Sequence, residues 1–216
     1  MLPEAEHALK LSEKRENGLG VPVQQSMPRQ EEGHVYAPDQ LTKAYEICVD
    51  TIMIQDFGHL RDALPADWPA VLALNAESVQ HLSPMDEARL GDLAAAACYF
   101  RVVDMEGAIA GFLMAFRKGA SYDGQIFRLF NERASDFVYI DRIVVGSEFR
   151  GQHIASRLYD DVARFARESD SEILTCEVNV VPPNPASMQF HTQHGFQEIG
   201  RHKAGEKTVA LLAREL

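Results

Sequence analysis

The order of apolar and polar positions predicts alternating strands and helices over most of the chain, beginning near residue 59. Residues 59–61 fit the end of a first strand. The prolines of 65–69 open a helix, since a helix tolerates proline in its first turn. Its apolar positions are Val71, Leu72, Leu74 and Val79. A second helix is predicted over 86–97, after a turn at Ser83 and Pro84.

Two apolar runs then flank a short turn that contains glycine. Residues 99–103 and 108–116 have the length of strands, and 104–107 has the length of a hairpin loop. We expect these strands to pair antiparallel. Residues 137–145 predict a further strand, in which strict alternation separates two faces. One face carries Phe137, Tyr139, Asp141, Ile143 and Val145, and the other carries Val138, Ile140, Arg142 and Val144.

The last third of the chain alternates between helix and strand patterns. A helix is predicted over 154–168, where the apolar residues keep helical spacing, and a strand follows over 173–178. A further helix runs to His194, and the glycine after it is the expected stop. Residues 197–202 and 208–213 close the chain as a hairpin. The pattern therefore predicts mixed α and β structure with one parallel crossover.

Residues 119–136 interrupt the strand pattern with aromatic side chains in an otherwise polar segment. The segment is too long for a hairpin turn, and loops of this length in compact domains are usually functional or disordered. Because it contains Tyr122, Phe127 and Phe130, we interpret it as a functional loop.

The first fifty residues mix charged residues with scattered Gly, Pro and Gln, and they show no sustained period before Asp39. We therefore expect an N-terminal extension over 1–51, partly disordered, and a main domain over 52–216. Within the extension, Asp39 fits the N-cap of a short amphipathic helix over 39–50. The apolar positions of that helix are Leu41, Ala44, Tyr45 and Cys48.

The net charge excludes several kinds of partner. The 216 residues include 21 Lys and Arg against 32 Asp and Glu, which gives a net charge of −11. This argues against a nucleic-acid-binding protein, because phosphate binding needs a field of positive charge. No stretch approaches the ~18 uninterrupted apolar residues of a membrane helix, and the N-terminus lacks the features of a signal peptide. We expect a cytoplasmic protein that binds neither nucleic acid nor membranes.

The cysteines and histidines do not have the spacing of a metal site. Cys48, Cys98 and Cys176 are widely separated, with no Cys-x-x-Cys or Cys/His cluster. This argues against both a disulfide framework and a structural zinc site. We expect reduced thiols and no metal.

The strongest chemical signal is the strand–loop–helix unit over 139–158. A glycine-containing loop that enters a helix presents unpaired backbone N–H groups at the positive end of the helix dipole, which favours an anion such as phosphate. Here Arg150 adds a positive charge, and the amide donors would be those of Gly151, Gln152, His153, Ile154, Ala155 and Ser156. The unit matches neither the Walker loop nor the dinucleotide fingerprint. The alternative is an ordinary strand-to-helix turn with a solvated arginine.

Two segments, in order along the chain, point to a family. Residues 150–155, Arg-Gly-Gln-His-Ile-Ala, resemble the acyl-CoA pyrophosphate loop of the GNAT N-acetyltransferase superfamily, Arg/Gln-x-x-Gly-x-Gly/Ala. Residues 184–196 resemble the family's Asn-x-x-Ser/Ala…Phe-Tyr…Gly-Phe segment. The resemblance covers about 52–216. It implies a GNAT-like fold of the α/β (α+β) class, with a mixed, mostly antiparallel seven-stranded sheet, helices on both faces and splayed central strands.

The resemblance also implies how acetyl-CoA, the co-substrate, would be bound. The pyrophosphate would lie on the loop over 150–156. The pantetheine would run along the edge of the preceding strand, where the backbone N–H groups of Ile143, Val144 and Val145 would stabilise the oxyanion. Asn184 and Ser187 would contact the CoA arm.

Two histidines depart from the family's pattern. His153 stands where the family usually has glycine, so its side chain either points outward or donates to a phosphate. His191 stands where many members carry the tyrosine that protonates the CoA thiolate. An imidazole, with a reference pKa of ~6.5, can also deliver that proton, and so can water. The alternative for His191 is a helix-surface residue.

The resemblance implies Glu177 as the catalytic base. Acyl transfer to an amine needs a group that takes a proton from the nitrogen, and Glu177 matches the strand glutamate with that role in ribosomal-protein acetyltransferases. Asp141 matches a substrate-facing carboxylate of the family. The alternative is that either acid is structural and pairs with an arginine such as Arg142. Cys176 falls on the opposite strand face from Glu177, so we interpret it as a core residue and not a nucleophile.

We therefore predict an N-acetyltransferase in which a bound primary amine attacks acetyl-CoA directly, with a small-molecule acceptor favoured over a protein. The loop over 119–136 is expected to close over the acceptor. The residues expected to contact the acceptor are Tyr122, Phe127, Phe130 and Tyr139. Two other interpretations stay open: a non-catalytic acyl-CoA-binding or sensory module on the same fold, and transfer to a protein N-terminus or lysine. A homodimer is also left open.

Overall fold

The computed structural model describes residues 58–80, 82–134 and 136–216. The extension over 1–51 and its short helix over 39–50 lie outside the described residues. Seven strands are described: β1 His59–Asp62, β2 Tyr99–Met105, β3 Ala108–Arg117, β4 Val138–Val145, β5 Ile173–Val181, β6 Gln197–Ala204 and β7 Lys207–Glu215. They form one sheet in the order β1-β2-β3-β4-β5-β7-β6.

Five α-helices connect these strands: α1 Trp68–Glu77, α2 Glu87–Ala96, α3 Gln125–Arg133, α4 Ile154–Glu168 and α5 Pro185–Gln193. Proline begins the helical segment before α1, as predicted. Pro65–Asp67 forms a 3₁₀ turn that continues directly into α1. The carboxylate of Asp86 accepts a hydrogen bond from the Arg89 amide and caps α2. Gly195 follows α5 with φ +82°, which fits its predicted role as the helix stop.

Strand pairing confirms a mixed, mostly antiparallel sheet. All neighbouring strands pair antiparallel except β4 and β5, which run parallel. The helix α4 connects β4 to β5, which is the single parallel crossover that the sequence predicts. The closing hairpin is also confirmed, and β7 lies between β5 and β6.

Helices cover both faces of the sheet, and each face has its own apolar core. On one face, α4 buries Ile154, Leu158 and Val162 against β3, β4 and β5, and α5 packs there as well. On the other face, α1, α2 and α3 pack against residues such as Phe112, Phe116 and Phe137. The predicted arrangement of helices on both faces is therefore confirmed.

The structure corrects our interpretation of 119–136 as a loop. Residues 125–133 form α3, and its Ile126, Phe127 and Phe130 are buried against the sheet. The ring of Phe127 lies 5.7 Å from that of Phe137, with edge-to-face geometry. The aromatic residues therefore form an amphipathic helix with one buried side, and the polar residues between them are its solvent face.

The structure also corrects the predicted faces of β4. Met114 of β3 pairs with Arg142 and Ala115 pairs with Ile140, so Asp141 is an extra residue in a β-bulge. After the bulge the alternation is reversed. Val144 joins the core that contains Tyr139, whereas Ile143 and Val145 pack on the opposite core. Strict alternation fails here because one unpaired residue moves every later side chain to the other face.

Several elements extend further than predicted, including β5, which continues to Val181. The helix α4 has the predicted bounds, 154–168. Among the helices of the described residues, none has both the length and the apolar character needed to span a membrane.

Candidate active site

A cleft opens where the two central strands separate. Pairing of β4 with β5 ends at Ile140 and Cys176, although β4 continues to Val145 and β5 to Val181. The predicted splaying of the central strands is therefore confirmed. The gap holds a cavity of about 200 Å³, whose lining includes Asp141, Arg142, Glu177, Asn184, Ser187 and His191.

Glu177 projects into this cleft from β5, as strand alternation predicts. Its Oε2 atom is buried and has no hydrogen-bond partner among the described residues. Burial raises the pKa of this carboxyl to about 7, and the negative charge of Asp141 acts in the same direction. A hydrogen bond from the Tyr139 hydroxyl and the charge of Lys207 oppose the rise. A carboxylate with a pKa near neutrality suits the role of a general base.

Asp141 faces the same cleft, but its two oxygens are already occupied. Oδ1 accepts a hydrogen bond from the Tyr122 hydroxyl, and Oδ2 accepts one from Nε of Arg142 at 2.5 Å. Arg142 also donates from Nη1 to Oδ1 of Asn75 at 2.9 Å. The side chains of Arg142 and Asp141 are only 6% and 7% exposed. Asp141 therefore belongs to a buried network that links β4 to α1 and to the segment before α3.

The four predicted acceptor contacts lie in different surroundings. Phe127 and Phe130 are 1% and 7% exposed and pack in the core, so in this structure they are not presented to a ligand. Tyr122 stacks on Phe116 at 4.2 Å and bonds to Asp141 at the edge of the site. Tyr139 is buried beside Glu177. The two tyrosines therefore hydrogen-bond to the carboxylates of the cleft, and the two phenylalanines hold α3 in place.

His191 is buried between α5 and α4 and is not on the helix surface. Its Nδ1 atom lies 2.7 Å from the Ser187 carbonyl, which can only accept, so Nδ1 carries the proton. Nε2 then accepts from the Tyr159 hydroxyl at 2.6 Å. Burial lowers the pKa of His191, so the ring is held neutral. The imidazole lines the cavity, but its own proton is directed at a backbone carbonyl.

The predicted anion loop has an open approach. Gly151 has φ +78°, and apart from its chain neighbours no heavy atom of the described residues lies within 4 Å of the place where its Cβ would be. His153 has φ +57° and precedes the first turn of α4, with its side chain exposed. Whether His153 donates to a phosphate stays a prediction. Ile154 is buried and anchors the helix start, so the amides of the first turn lie at the end of the loop.

A second cavity of about 210 Å³ lies between this loop and the cleft. Its lining includes half of the residues predicted to contact acetyl-CoA: Ile143, Val144, Val145, Arg150, Ala155 and Ser187. It shares Ser78, Ile143, Ser187 and His191 with the first cavity, so the two are adjacent. The loop and the carboxylates are therefore arranged along one continuous site.

Three predicted contacts of acetyl-CoA already have partners within the protein. Asn184 caps α5 by accepting from the Ser187 amide at 3.2 Å, while also lining the first cavity. Ser156 Oγ lies 3.1 Å from Nε2 of His194. Gln152 donates weakly to the Glu148 carbonyl at 3.5 Å. Their contact with acetyl-CoA stays a prediction.

Comparison with family models gives one match, the acetyltransferase (GNAT) family, over residues 60–196. This match spans more than half of the chain and contains every element of the site. The protein belongs to the GNAT acetyltransferase family. The resemblance seen in the sequence is therefore confirmed. Comparison with curated proteins finds no match.

Several solved structures share the GNAT fold. Ard1 from Thermoplasma volcanium has a TM-score of 0.60 and 19% identity, covering 74% of this chain and 97% of its own. Ribosomal-protein-alanine N-acetyltransferase from Brucella melitensis has a TM-score of 0.55 and 23% identity, with coverage of 73% and 99%. A protein assigned as a phosphinothricin N-acetyltransferase has a TM-score of 0.56 and 19% identity, with coverage of 73% and 98%. At these identities the similarity shows the fold alone.

Sequence reasoning missed several residues of this GNAT site, including Ser78, which lines both cavities, and two residues that hold its side chains in place. Tyr159 was not predicted because it lies beside the main apolar stripe of α4. Ala155 and Ala163, four residues before and after it, lie on the same face of the helix and were the signal for its burial. Asn75 holds Arg142 from α1 and had no signal in the sequence.

Cys176 lies in the core as interpreted, and burial raises its pKa well above the ordinary value. No group of three or more His, Cys, Asp or Glu in the described ranges is placed to hold a metal.

Proposed function

We propose that this GNAT protein transfers an acetyl group from acetyl-CoA to a primary amine by direct attack. The observation that carries the proposal is the half-buried Glu177, with its buried Oε2 atom, in the cleft between β4 and β5, adjacent to the open loop at the start of α4. This arrangement puts a base and an anion site at the two ends of one continuous cavity.

Glu177 supplies the proton acceptor in this proposal. The amine nitrogen forms a bond to the thioester carbonyl carbon, and its proton passes to Glu177, directly or through a water. The bond between that carbon and sulfur then breaks, and the thiolate leaves with a proton from solvent or a nearby donor. A base with a pKa of about 7 is half ionised at neutral pH and becomes a strong enough acid to release the proton afterwards.

The loop at the start of α4 fits the pyrophosphate of acetyl-CoA, which supplies the activated acetyl group. The exposed guanidinium of Arg150 and the first-turn amides of α4 are the donors that an anion requires. The open space where a side chain would begin at Gly151 leaves room for a phosphate to approach the backbone. Oxyanion donors would come from the end of β4 that does not pair with β5, at Ile143 to Val145.

A small-molecule amine is the favoured acceptor in this proposal. Asp141 and Glu177 give the cleft an acidic character that attracts a cationic amine. Solved GNAT structures with the same fold include proteins named for a protein alanine or for phosphinothricin as acceptor, so the fold itself does not choose between acceptor classes. Cytoplasmic location, absence of a metal and a homodimer stay predictions.

A thiol-release assay over a panel of primary amines and N-terminal peptides tests the proposal, with acetyl-CoA binding followed by calorimetry. We expect turnover of at least one amine and loss of that turnover in Glu177→Gln, while acetyl-CoA binding persists. Binding of acetyl-CoA without turnover of any amine or peptide would instead support the non-catalytic module. That alternative has one favourable observation, since the proton of His191 is committed to a carbonyl and does not face the cleft.

A further inference from the structure

The two carboxylates in the cleft are held very differently. Glu177 keeps one buried oxygen without a hydrogen-bond partner among the described residues, as a group that exchanges a proton requires. Asp141 has both oxygens occupied, by the Tyr122 hydroxyl and by Nε of Arg142. Hydrogen bonds to the ionised form of a carboxylate favour that form, so they make the carboxylate a weaker proton acceptor.

The ties on Asp141 come from three separate parts of the chain. Tyr122 lies between β3 and α3, and its ring is fixed by stacking on Phe116. Arg142 is the next residue in β4, and its Nη1 donates to Asn75 of α1. The β-bulge brings Asp141 and Arg142 to the same side of the sheet, so neighbouring side chains can pair. The position of this negative charge is therefore set by the fold.

We propose that Asp141 is a positioning residue, a fixed negative charge that Tyr122 and Arg142 hold beside Glu177, and that Glu177 alone takes the proton of the amine. The inference rests on the proposed function for its catalytic meaning. Its physical content, a charge on one carboxylate that acts on the other, holds for the free protein as well.

The surroundings of Glu177 show why this charge matters. Asp141 is the largest contribution after burial to the raised pKa of Glu177. The other groups that interact electrostatically with Glu177 are Tyr139 of β4, Tyr122 before α3, Lys207 of β7 and the adjacent Cys176, which lies on the opposite face of β5. Of these, only Lys207 is charged at neutral pH, and it favours the ionised carboxylate. The negative charge of Asp141 therefore raises the pKa of Glu177, and a single isosteric substitution of Asp141 removes that charge.

The test is a ¹³C NMR titration of carboxyl-labelled glutamate in the full chain, with the Glu177 signal assigned by its loss in Glu177→Gln. In the wild type we expect an inflection near pH 7. In Asp141→Asn we expect it to fall by roughly one pH unit, the size expected for loss of one nearby like charge. Asp160→Asn removes an equal charge from the exposed side of α4, and it should leave the inflection unchanged.

A second variant gives the opposite sign and covers the case in which Asp141→Asn does not fold. Asn75→Asp adds a negative charge 2.9 Å from Nη1 of Arg142 and offsets that guanidinium. The Glu177 inflection should then move to higher pH, which a merely structural role for the network would not produce. An inflection that stays in place in both variants overturns the inference, and so does a wild-type inflection in the ordinary range of glutamate.

The pH profile of kcat/KM separates this inference from the proposed function. If Glu177 alone is the base, Asp141→Asn still turns over the amine, with a higher KM for a cationic acceptor, and the acidic limb of its profile moves to lower pH with the NMR inflection. If Asp141 is the base, Asp141→Asn is inactive at every pH while Glu177→Gln retains activity, and the inference is wrong. A protein that turns over no amine but shows the NMR shifts loses the proposed function and keeps the charge effect.

Discussion

Glu177→Gln is expected to abolish activity and at the same time to stabilise the protein at alkaline pH. The carboxyl is buried in the cleft, and its pKa is raised from the ordinary 4.5 to about 7. Burial disfavours its charged form, so the folded state pays a free-energy cost whenever Glu177 is ionised. Glutamine keeps the shape and can still accept from Tyr139, but it carries no charge.

The size and sign of the stability effect follow from linkage between proton binding and folding. The folded chain holds the proton more tightly than the unfolded chain, so the cost is absent below pH 4.5, grows as the pH rises to 7, and is constant above. At 1.36 kcal/mol per pH unit, the difference between 4.5 and about 7 corresponds to about 3 kcal/mol in the free energy of unfolding. The variant should therefore exceed the wild type by about this amount at pH 8, and by little at pH 5.

Two measurements on the same samples check this. Denaturant unfolding at pH 5 and pH 8 gives the stability difference, and thiol release between pH 5.5 and 9 gives the rate profile. In the wild type kcat/KM should fall about tenfold per pH unit below pH 6, and the variant should lose roughly 100-fold or more at its optimum, with no such limb. Glu172→Gln, at an exposed position, is the matched control for both measurements.

The reasoning fails in two separable ways. If Glu177→Gln is no more stable than the wild type at pH 8, the carboxylate is not desolvated as the structure indicates. If the variant keeps an unchanged acidic limb and most of its activity, water takes the proton of the amine and Glu177 is a structural acid. Loss of activity without a gain in stability would indicate damage to the cleft.

The other predictions concern the remaining parts of the site and its support. Arg150→Ala should raise KM for acetyl-CoA about tenfold or more in steady-state kinetics; an equal rise for the acceptor would contradict a phosphate contact. Phe127→Ala should lower the free energy of unfolding by about 3 to 5 kcal/mol in denaturant titrations, because it leaves a cavity where a buried ring was. A loss under 1 kcal/mol would instead favour the interpretation of 119–136 as a loop. Burial lowers the pKa of His191, so stability should fall as the pH drops below 6.5. His191→Gln should flatten that fall in thermal unfolding between pH 7 and 5, and an unchanged slope would argue against the buried neutral ring.

The parts of the fold that sequence reasoning predicted are those whose signals are local. The bounds of α4 were predicted correctly because its preceding glycine loop, its apolar stripe and its polar C-terminal turn all lie within the one short segment 151–168. The orientation of Glu177 toward the cleft follows from regular alternation in β5 around Cys176. The position of the cleft followed from the family resemblance, since the separation of β4 from β5 leaves no mark in either strand's own sequence.

The helix α3 was not predicted because its apolar face is recognisable only from the sheet residues that it packs against. Its nine residues include only four large apolar side chains, and the buried ones become recognisable as one face only against Phe116, Phe137 and Tyr139. Short helices gain most of their stability from packing and little from propensity. The same argument applies to His191, whose place in the core depends on Tyr159 of another helix, 32 residues earlier in the chain.

The bulge in β4 decides how the two carboxylates differ, and no alternation pattern reveals it. In a regular strand Asp141 and Arg142 would point to opposite faces and could not pair. The unpaired residue brings both to one side, where Arg142 binds Asp141 and is held in turn by Asn75. One irregular residue therefore turns a possible second base into a fixed charge. Glu177, on the regular strand opposite, is left as the carboxylate with a free buried oxygen.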